Sequence, residues 1–259
     1  LLGTMLNELL WERHCTPVEL AQIGQYAENV FFGKPCGLMD QTASSVGGVV
    51  AIDFADTAQP VVERLDVDLH ACGYALCILD SGAGHEDLTG EYSAITEELR
   101  AVCRVFGKEV LREIPEEAFL AELPQVRKAA GDREVNRAFH VYGENRRVRE
   151  EVQALRSGDF QRFLALVRES GRSSAMYLQN IIPTGSIAAQ ELMVTIALCE
   201  RMLEGRGAVR VHGGGFGGTA QAFVPLDMLD GFRDRVEASL GRGCCHVVRI
   251  RPAGGIRLG

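Results

Sequence analysis

The sequence predicts an α+β fold. From residue 73 onward, apolar residues alternate in four short runs and recur at helical spacing in the segments between those runs. The resulting order is strand, helices, strand, strand, helix, strand. This is the order of the ferredoxin-like split βαβ fold, with extra helices inserted in its first crossover. We therefore expect a shorter N-terminal unit over residues 1–70 and a ferredoxin-like unit over residues 71–259.

The first unit is predicted to contain helices followed by two strands. The helices are expected at residues 1–13, 17–30 and 35–47, and the strands at residues 49–54 and 60–67. Thr16 is a suitable N-cap, and Pro17 fits the first helical position behind it. The pair Gly47-Gly48 ends the third helix.

The second unit is predicted from its two hydrophobic periods. Strands are expected at residues 73–80, 208–212, 219–224 and 244–250, and helices at residues 86–106, 135–155, 160–168, 186–203 and 226–240. The clearest helix begins at residue 86, where Leu88, Tyr92, Ile95 and Leu99 recur at steps of three and four. Tyr92 thus belongs to the apolar stripe of that helix.

Composition and charge exclude several classes of protein. The chain has 259 residues and a net charge of −8, with 35 acidic against 27 basic residues. A nucleic-acid-binding protein needs a basic face, so no nucleic-acid partner is expected. No apolar run approaches the roughly 20 residues that cross a bilayer, so no membrane span is expected.

The eight cysteines indicate neither a disulfide framework nor a metal site. They form no C-x-x-C motif, and no cysteine and histidine spacing matches a zinc module, so no protein-bound metal is predicted. Most of them lie in apolar runs, where cysteine behaves as a small hydrophobic residue. We infer a reducing, cytoplasmic compartment.

A dense glycine cluster follows the predicted strand at residues 208–212. Gly213, Gly214, Gly215, Phe216, Gly217 and Gly218 contain the spacing G-x-G-x-x-G. A dinucleotide-binding fingerprint needs a helix immediately after the glycines, but an alternating strand pattern follows here. Two interpretations remain: a plain turn between antiparallel strands, or a loop whose backbone must approach a ligand closely.

Asp40 is the candidate catalytic residue. It lies among small and apolar residues in the segment Cys36-Gly37-Leu38-Met39-Asp40-Gln41, on a short predicted helix. An isolated aspartate on a helix is usually a solvated charge. The alternative is a half-buried carboxylate that accepts a proton from a substrate hydroxyl or orients that hydroxyl.

Taken together, the two segments resemble a known family. The segment that ends at Gln41 resembles the C-G-x-M-D-Q segment of galactokinases, and the glycine cluster resembles the third conserved motif of the GHMP kinase superfamily. Between them, the residues around Glu91-Tyr92 and His140 through Arg147 resemble galactokinase segments in the same order. The aspartate segment is specific to galactokinases, whereas the glycine motif marks only the superfamily.

The resemblance implies a GHMP-kinase-like fold and a galactokinase activity. The reaction would be ATP-dependent phosphorylation of the anomeric hydroxyl of galactose or a related sugar, with Mg²⁺ as cofactor. Asp40 would be the catalytic and sugar-orienting aspartate, and Tyr92 would contact the sugar. Residues 213–218 would close over the site beside the nucleotide. The partners implied are a small sugar and ATP; an oligomeric state is not implied.

The sequence also departs from the galactokinase pattern. The N-terminal motif that grips the sugar and the serine-rich loop that binds the ATP phosphates are not found, so the N-terminal domain is expected to be incomplete. We accordingly expect no turnover by the 259-residue chain alone. We also expect an exposed apolar face on that domain and self-association through it. Residues 178–185 stand where galactokinases carry a Cys-Pro-Glu-Leu-Asp segment.

Two other functions stay open at this point. A galactokinase-like sugar sensor would bind the sugar and act through a protein partner without turnover. Such a sensor has less need of Asp40, whose presence favours the enzyme. A nicotinamide-dependent oxidoreductase would use the glycine cluster, and it would change the fluorescence of NADH on binding.

Overall fold

The computed structural model describes residues 1–33, 36–84 and 88–257, which form two compact units. The first unit comprises residues 1–68 together with residues 249–257, and the second comprises residues 69–248. The expected division near residue 70 placed the end of the chain in the second unit, whereas residues 249–257 pack within the first. The boundary that the sequence predicts at residue 70, between an N-terminal and a C-terminal domain of the family, stays a prediction.

The first unit begins with three helices, α1 (Leu2–Leu10), α2 (Pro17–Tyr26) and α3 (Met39–Val46). A capping box starts α2, because the Thr16 hydroxyl accepts from the Glu19 N–H while the Glu19 carboxylate accepts from the Thr16 N–H. A π-helical turn over Ala27–Phe31 extends α2. The predicted start of the third helix at Pro35 lies outside the described residues.

A strand pair and the end of the chain complete the first unit. The two predicted strands form as β1 (Val49–Asp53) and β2 (Val61–Leu65), and they pair in antiparallel fashion. The Gly48 N–H donates to the Arg251 carbonyl at 2.7 Å, and the Arg64 guanidinium donates to the Pro252 carbonyl at 2.6 Å. These bonds explain why residues 249–257 belong with the first unit.

The second unit is built on one four-stranded antiparallel sheet. Its strands are β3 (Tyr74–Asp80), β4 (Ala208–Val211), β5 (Thr219–Pro225) and β6 (Cys245–Val248), in the spatial order β4-β5-β3-β6. Thus β3 and β4 are parallel with β5 between them, and β5 and β6 are parallel with β3 between them. This is the split βαβ arrangement, and the predicted α+β fold is confirmed.

Seven α-helices of the described chain belong to this unit. They are α4 (Thr89–Val105), α5 (Glu116–Ala121), α6 (Leu123–Ala129), α7 (Asp132–Ser157), α8 (Phe160–Ser173), α9 (Glu191–Leu203) and α10 (Leu229–Leu240). The short helices α5 and α6 were not predicted, since six or seven residues carry too few turns to show a period. The helix expected from residue 186 begins at Glu191, because Ser186 and Gln190 form local side-chain hydrogen bonds in a turn before it. Residues 86 and 87 lie outside the described residues.

Among the described residues, three apolar cores flank the sheet and its crossover, and the third of them packs α8 on the sheet. The first packs α9 and α10 on the sheet, and its members include Leu79, Leu192, Val211 and Phe232. The second joins α4 to α7 around Phe119. Within the described ranges, no helix is long and apolar enough to cross a membrane, and no cysteine forms a disulfide.

Candidate functional site

The glycine loop, residues 213–218, joins β4 to β5. Its base is closed by a hydrogen bond from the His212 N–H to the Thr219 carbonyl at 3.0 Å. Gly213, Gly215 and Gly218 have φ values of 77°, 85° and 72°, and Phe216 has a φ of 60°. Because side chains disfavour this left-handed region, three glycines here are required by the backbone path itself.

The outer and inner parts of the loop differ. Gly213 and Gly214 are exposed, whereas residues 215–218 are buried. The Gly218 carbonyl accepts from the Ser81 N–H at 3.0 Å, and the Gly218 N–H donates to the Ala83 carbonyl at 3.1 Å. A Cβ on Gly217 would lie only 2.7 Å from the Gly84 carbonyl oxygen. The inner glycines therefore allow the chain to approach its own backbone, at the end of β3.

Tyr92, at the start of α4, packs on the same loop. Its hydroxyl donates to the Gly215 carbonyl at 3.0 Å, and its ring meets the Phe216 ring edge to face at 5.8 Å. Burial raises the pKa of Tyr92, so the hydroxyl stays protonated as a donor at neutral pH. Tyr92, which was predicted to lie on the apolar stripe of its helix, is thus half-buried against the glycine loop. Its contact with a sugar stays a prediction.

Asp40 lies in the first turn of α3 and is exposed. Backbone contacts fix the segment before it, since Cys36 donates its N–H to the Asn29 side chain at 2.7 Å and accepts from Gln25 at 3.2 Å. Inside the helix, the Thr42 hydroxyl donates to the Leu38 carbonyl at 2.7 Å. The exposed carboxylate is therefore held on an ordered turn near a helix N-terminus, where a negative charge is favourable.

Residues 178–185, the segment that differs from the galactokinase pattern, also contact the glycine loop. The Asn180 carbonyl accepts from the Phe216 N–H at 2.5 Å, and the Asn180 amide donates to the Gly214 carbonyl at 3.1 Å. Sequence reasoning identified this segment only as a departure from a family pattern, and it missed Asn180. The available signal was weak: one amide side chain directly before the apolar pair Ile181-Ile182.

The structure therefore brings Tyr92, Asn180 and the glycine loop together in the second unit, whereas Asp40 belongs to the first. Among the described residues, no group of three or more histidine, cysteine, aspartate or glutamate side chains could hold a metal ion. The exposed Gly213 has no neighbouring atom within 4 Å of the position that a Cβ would take. A ligand can therefore approach the backbone of the loop tip closely.

The fold and part of the sequence match known kinases. The structure aligns with a crystal structure of Lactococcus lactis galactokinase complexed with galactose at a TM-score of 0.73, over 98% of this chain and 63% of that one, with 24% identity. The family profile described as "GHMP kinases N terminal domain" matches residues 1–48. In fold and in its first 48 residues, the chain is similar to GHMP kinases. Its fold is that of the superfamily, as the sequence predicted.

The chain is also similar in sequence to curated galactokinases. It is 34% identical to that of Glaesserella parasuis serovar 5 over 218 residues, 83% of this chain and 53% of the relative. It is 35% identical to that of Thermotoga neapolitana over 235 residues, 88% of this chain and 62% of the relative. The chain spans between half and two thirds of the length of these relatives. The predicted resemblance to galactokinases is confirmed.

Proposed function

We propose that the protein containing this chain is an ATP-dependent sugar kinase of the galactokinase type. It would phosphorylate the anomeric hydroxyl of galactose or a related sugar. The observation that carries the proposal is the similarity to galactokinases over 83% and 88% of the chain. The aspartate segment and the glycine loop, which suggested the same activity, both lie within ordered structure.

Asp40 is proposed as the catalytic carboxylate. It would orient the sugar hydroxyl and accept its proton as the oxygen attacks the phosphoryl group. Two features support this role. The carboxylate is exposed in the first turn of α3, and the neighbouring Gly37 has open space where a Cβ would stand. A hydroxyl-bearing ligand therefore has room to reach the carboxylate.

The glycine loop is proposed to lie beside the nucleotide. At its exposed tip, Gly213 has open space where a Cβ would stand, so ATP can approach the backbone there, and the buried half of the loop fixes the position of that tip. Mg²⁺ bound with ATP would neutralise charge on the transferred phosphoryl group. Such an ion is commonly held by one or two carboxylates and the phosphates themselves, so a dedicated protein cage is not required.

A reducing, cytoplasmic location accompanies this proposal. Its support is the cysteine pattern: Cys77 and Cys199 are fully buried within the apolar core, as small hydrophobic residues would be. Fractionation of cells that express the natural protein tests the location, and recovery in an oxidising compartment would contradict it.

The direct test of the activity is ADP release by the natural protein that contains this chain, measured with a panel of sugars. We expect release that depends on galactose or on a close relative of galactose. Sugar binding by calorimetry with no release from any sugar would contradict the kinase and favour the sensor. Release that occurs equally without sugar would contradict both.

A further inference from the structure

The segment that departs from the galactokinase pattern places a buried amide against the glycine loop. The π-helical turn Ser174–Leu178 ends at Gln179, which has a φ of 58°, and the chain turns there. The next residue, Asn180, is only 3% exposed. A polar side chain this buried needs partners, and its partners lie in the loop.

Two successive peptide units of the loop, 214–215 and 215–216, are fixed by two side chains and one backbone carbonyl. Asn180 accepts from the Phe216 N–H at 2.5 Å and donates from Nδ2 to the Gly214 carbonyl at 3.1 Å. Tyr92 binds the carbonyl between them, on Gly215. A Cβ on Gly215 would overlap the Asn180 carbonyl oxygen, so the two backbones are in direct contact.

The segment that carries Asn180 is itself anchored on both sides. Before it, the buried Arg137 of α7 donates from Nε to the Leu178 carbonyl at 3.1 Å. After it, Thr184 donates its N–H and its hydroxyl to the Glu91 carboxylate of α4, at 2.7 and 3.1 Å. Since Glu91 directly precedes Tyr92, one turn of α4 anchors both the segment and the loop.

Folding stability alone does not favour an asparagine at this position. The Oδ1 atom of Asn180 is buried and has no hydrogen-bond partner in the part of the chain that the structure describes. A buried acceptor without a partner costs stability, whereas an apolar side chain of similar size would avoid that cost. The residue whose carbonyl the amide binds, Gly214, is itself exposed. The hydrogen bond from the Asn180 amide instead fixes the position of the loop.

We propose that Asn180 is a positioning residue that holds the glycine loop in the conformation it presents to the nucleotide. This inference rests on the proposed kinase function for its consequence in catalysis. The position of the loop can nevertheless be measured without any activity. Residues 178–185 thereby acquire a role that their sequence alone did not indicate.

The test uses Asn180→Leu, which keeps the branched shape of the side chain and removes the donor. Asn180→Ser serves as a second variant, because its hydroxyl is too short to replace the amide. Asn145→Leu, an exposed position on α7, is the matched control. Hydrogen–deuterium exchange of residues 212–219 is measured on the natural protein that contains this chain, together with its melting temperature.

We expect the loop amides of both Asn180 variants to exchange about tenfold faster or more, since a bond that restrains the loop has been removed. The melting temperature of Asn180→Leu should equal or exceed that of the wild type. Asn145→Leu should leave the loop exchange unchanged. Wild-type exchange in both Asn180 variants, or a melting temperature several degrees lower with unchanged kinetics, would overturn the positioning role.

Kinetics separate this inference from the proposed function. In an active kinase, Asn180→Leu should lower kcat/KM for ATP about tenfold or more and change the KM for the sugar less than about twofold. Equal effects on both substrates would contradict the inference. A wild-type protein without kinase activity would count against the proposed function alone, and the exchange experiment would still decide whether Asn180 positions the loop.

Discussion

The phenolic oxygen of Tyr92 donates a hydrogen bond to the backbone carbonyl of Gly215 at 3.0 Å. This bond joins the start of helix α4 to the glycine loop, 123 residues later in the chain. The same side chain was predicted both as part of an apolar stripe and as a sugar contact. Its position against the loop is compatible with both interpretations, because a half-buried ring can still present its polar end to a site.

The Tyr92→Phe variant removes this hydrogen bond and keeps the ring contact with Phe216. We expect unfolding free energy to fall by about 0.5–1.5 kcal/mol, the usual value of one such bond. Urea denaturation measures it. Tyr177→Phe, at an exposed tyrosine, should change stability by less than about 0.5 kcal/mol.

Kinetics of Tyr92→Phe discriminate between its two possible roles in a kinase. If the hydroxyl acts only through the loop, kcat/KM for ATP falls and the KM for the sugar stays constant. If the hydroxyl contacts the sugar, as the family resemblance implies, the KM for the sugar rises. A variant with wild-type stability and wild-type kinetics would show that the bond to Gly215 has no role.

Alanine substitutions at two glycines with similar backbone angles test the close packing of the loop. Gly213 and Gly215 have φ values of 77° and 85°, so both substitutions incur left-handed strain of about 1–2 kcal/mol. At Gly213 the new Cβ meets no atom within 4 Å, whereas at Gly215 it would overlap the Asn180 carbonyl. We expect Gly215→Ala to be the more destabilising by at least about 2 kcal/mol. Equal losses in urea denaturation would refute the contact.

Because Arg137 is buried, loss of the negative charge of Glu98 should lower stability much more than loss of the charge of Glu97. Glu98 binds the Arg137 guanidinium at 2.8 Å, and their side chains are 13% and 1% exposed. Burial lowers the pKa of Arg137, which the Glu98 carboxylate opposes. Glu98→Gln leaves a buried charge uncompensated and should cost about 3–5 kcal/mol.

Glu97→Gln is the control for that experiment. Glu97 pairs with Arg100 at 2.6 Å, but their side chains are 60% and 58% exposed. The loss of such an exposed pair should cost at most about 0.5 kcal/mol. Chemical denaturation of the two variants gives the comparison, and a small effect of Glu98→Gln would mean that Arg137 is not held by this charge.

Glu151 on α7 makes stability depend on pH. Burial, together with the nearby negative charge of Glu144, raises the pKa of Glu151 from 4.5 to about 7. The folded protein therefore holds this proton more tightly than the unfolded chain does. As a consequence, the contribution of Glu151 to stability falls as pH rises from about 4.5 to about 7, and it stays low above that range.

The Glu151→Gln variant removes this titration. Relative to the wild type, it should be about equally stable near pH 4.5 and should melt on the order of 10 °C higher at pH 8. Glu150→Gln, at the exposed neighbouring position, is the control. Calorimetric melting between pH 4.5 and 8 provides the comparison. A constant difference for Glu151→Gln would show that the side chain titrates normally.

Much of the fold could be predicted because its hydrophobic pattern is strong. The alternating runs that became β3 and β5, and the three- and four-residue steps that became α4, each report the period of one element. Helices α5 and α6 are too short to report a period. The packing of residues 249–257 in the first unit depends on hydrogen bonds to Gly48 and Arg64, which lie far away in sequence.

The candidate site was predictable only in part. The glycine density indicated a close backbone approach, but not that the inner glycines meet this chain's own carbonyls at Gly84 and Asn180. Asn180 could not be identified, because its importance comes from contacts to residues 34 positions and more away. The exposed carboxylate of Asp40 was indicated by its segment alone, and its chemistry stays a prediction.

Sugar-dependent ADP release by the natural protein and by its Asp40→Asn variant tests the proposed kinase most directly. Asp56→Asn, another exposed carboxylate of the first unit, is the control. We expect galactose-dependent release by the wild type and by Asp56→Asn, with a loss of at least about 100-fold in Asp40→Asn. The melting temperatures should be unchanged. Wild-type release by Asp40→Asn, or no sugar-dependent release by the wild type, would contradict the account.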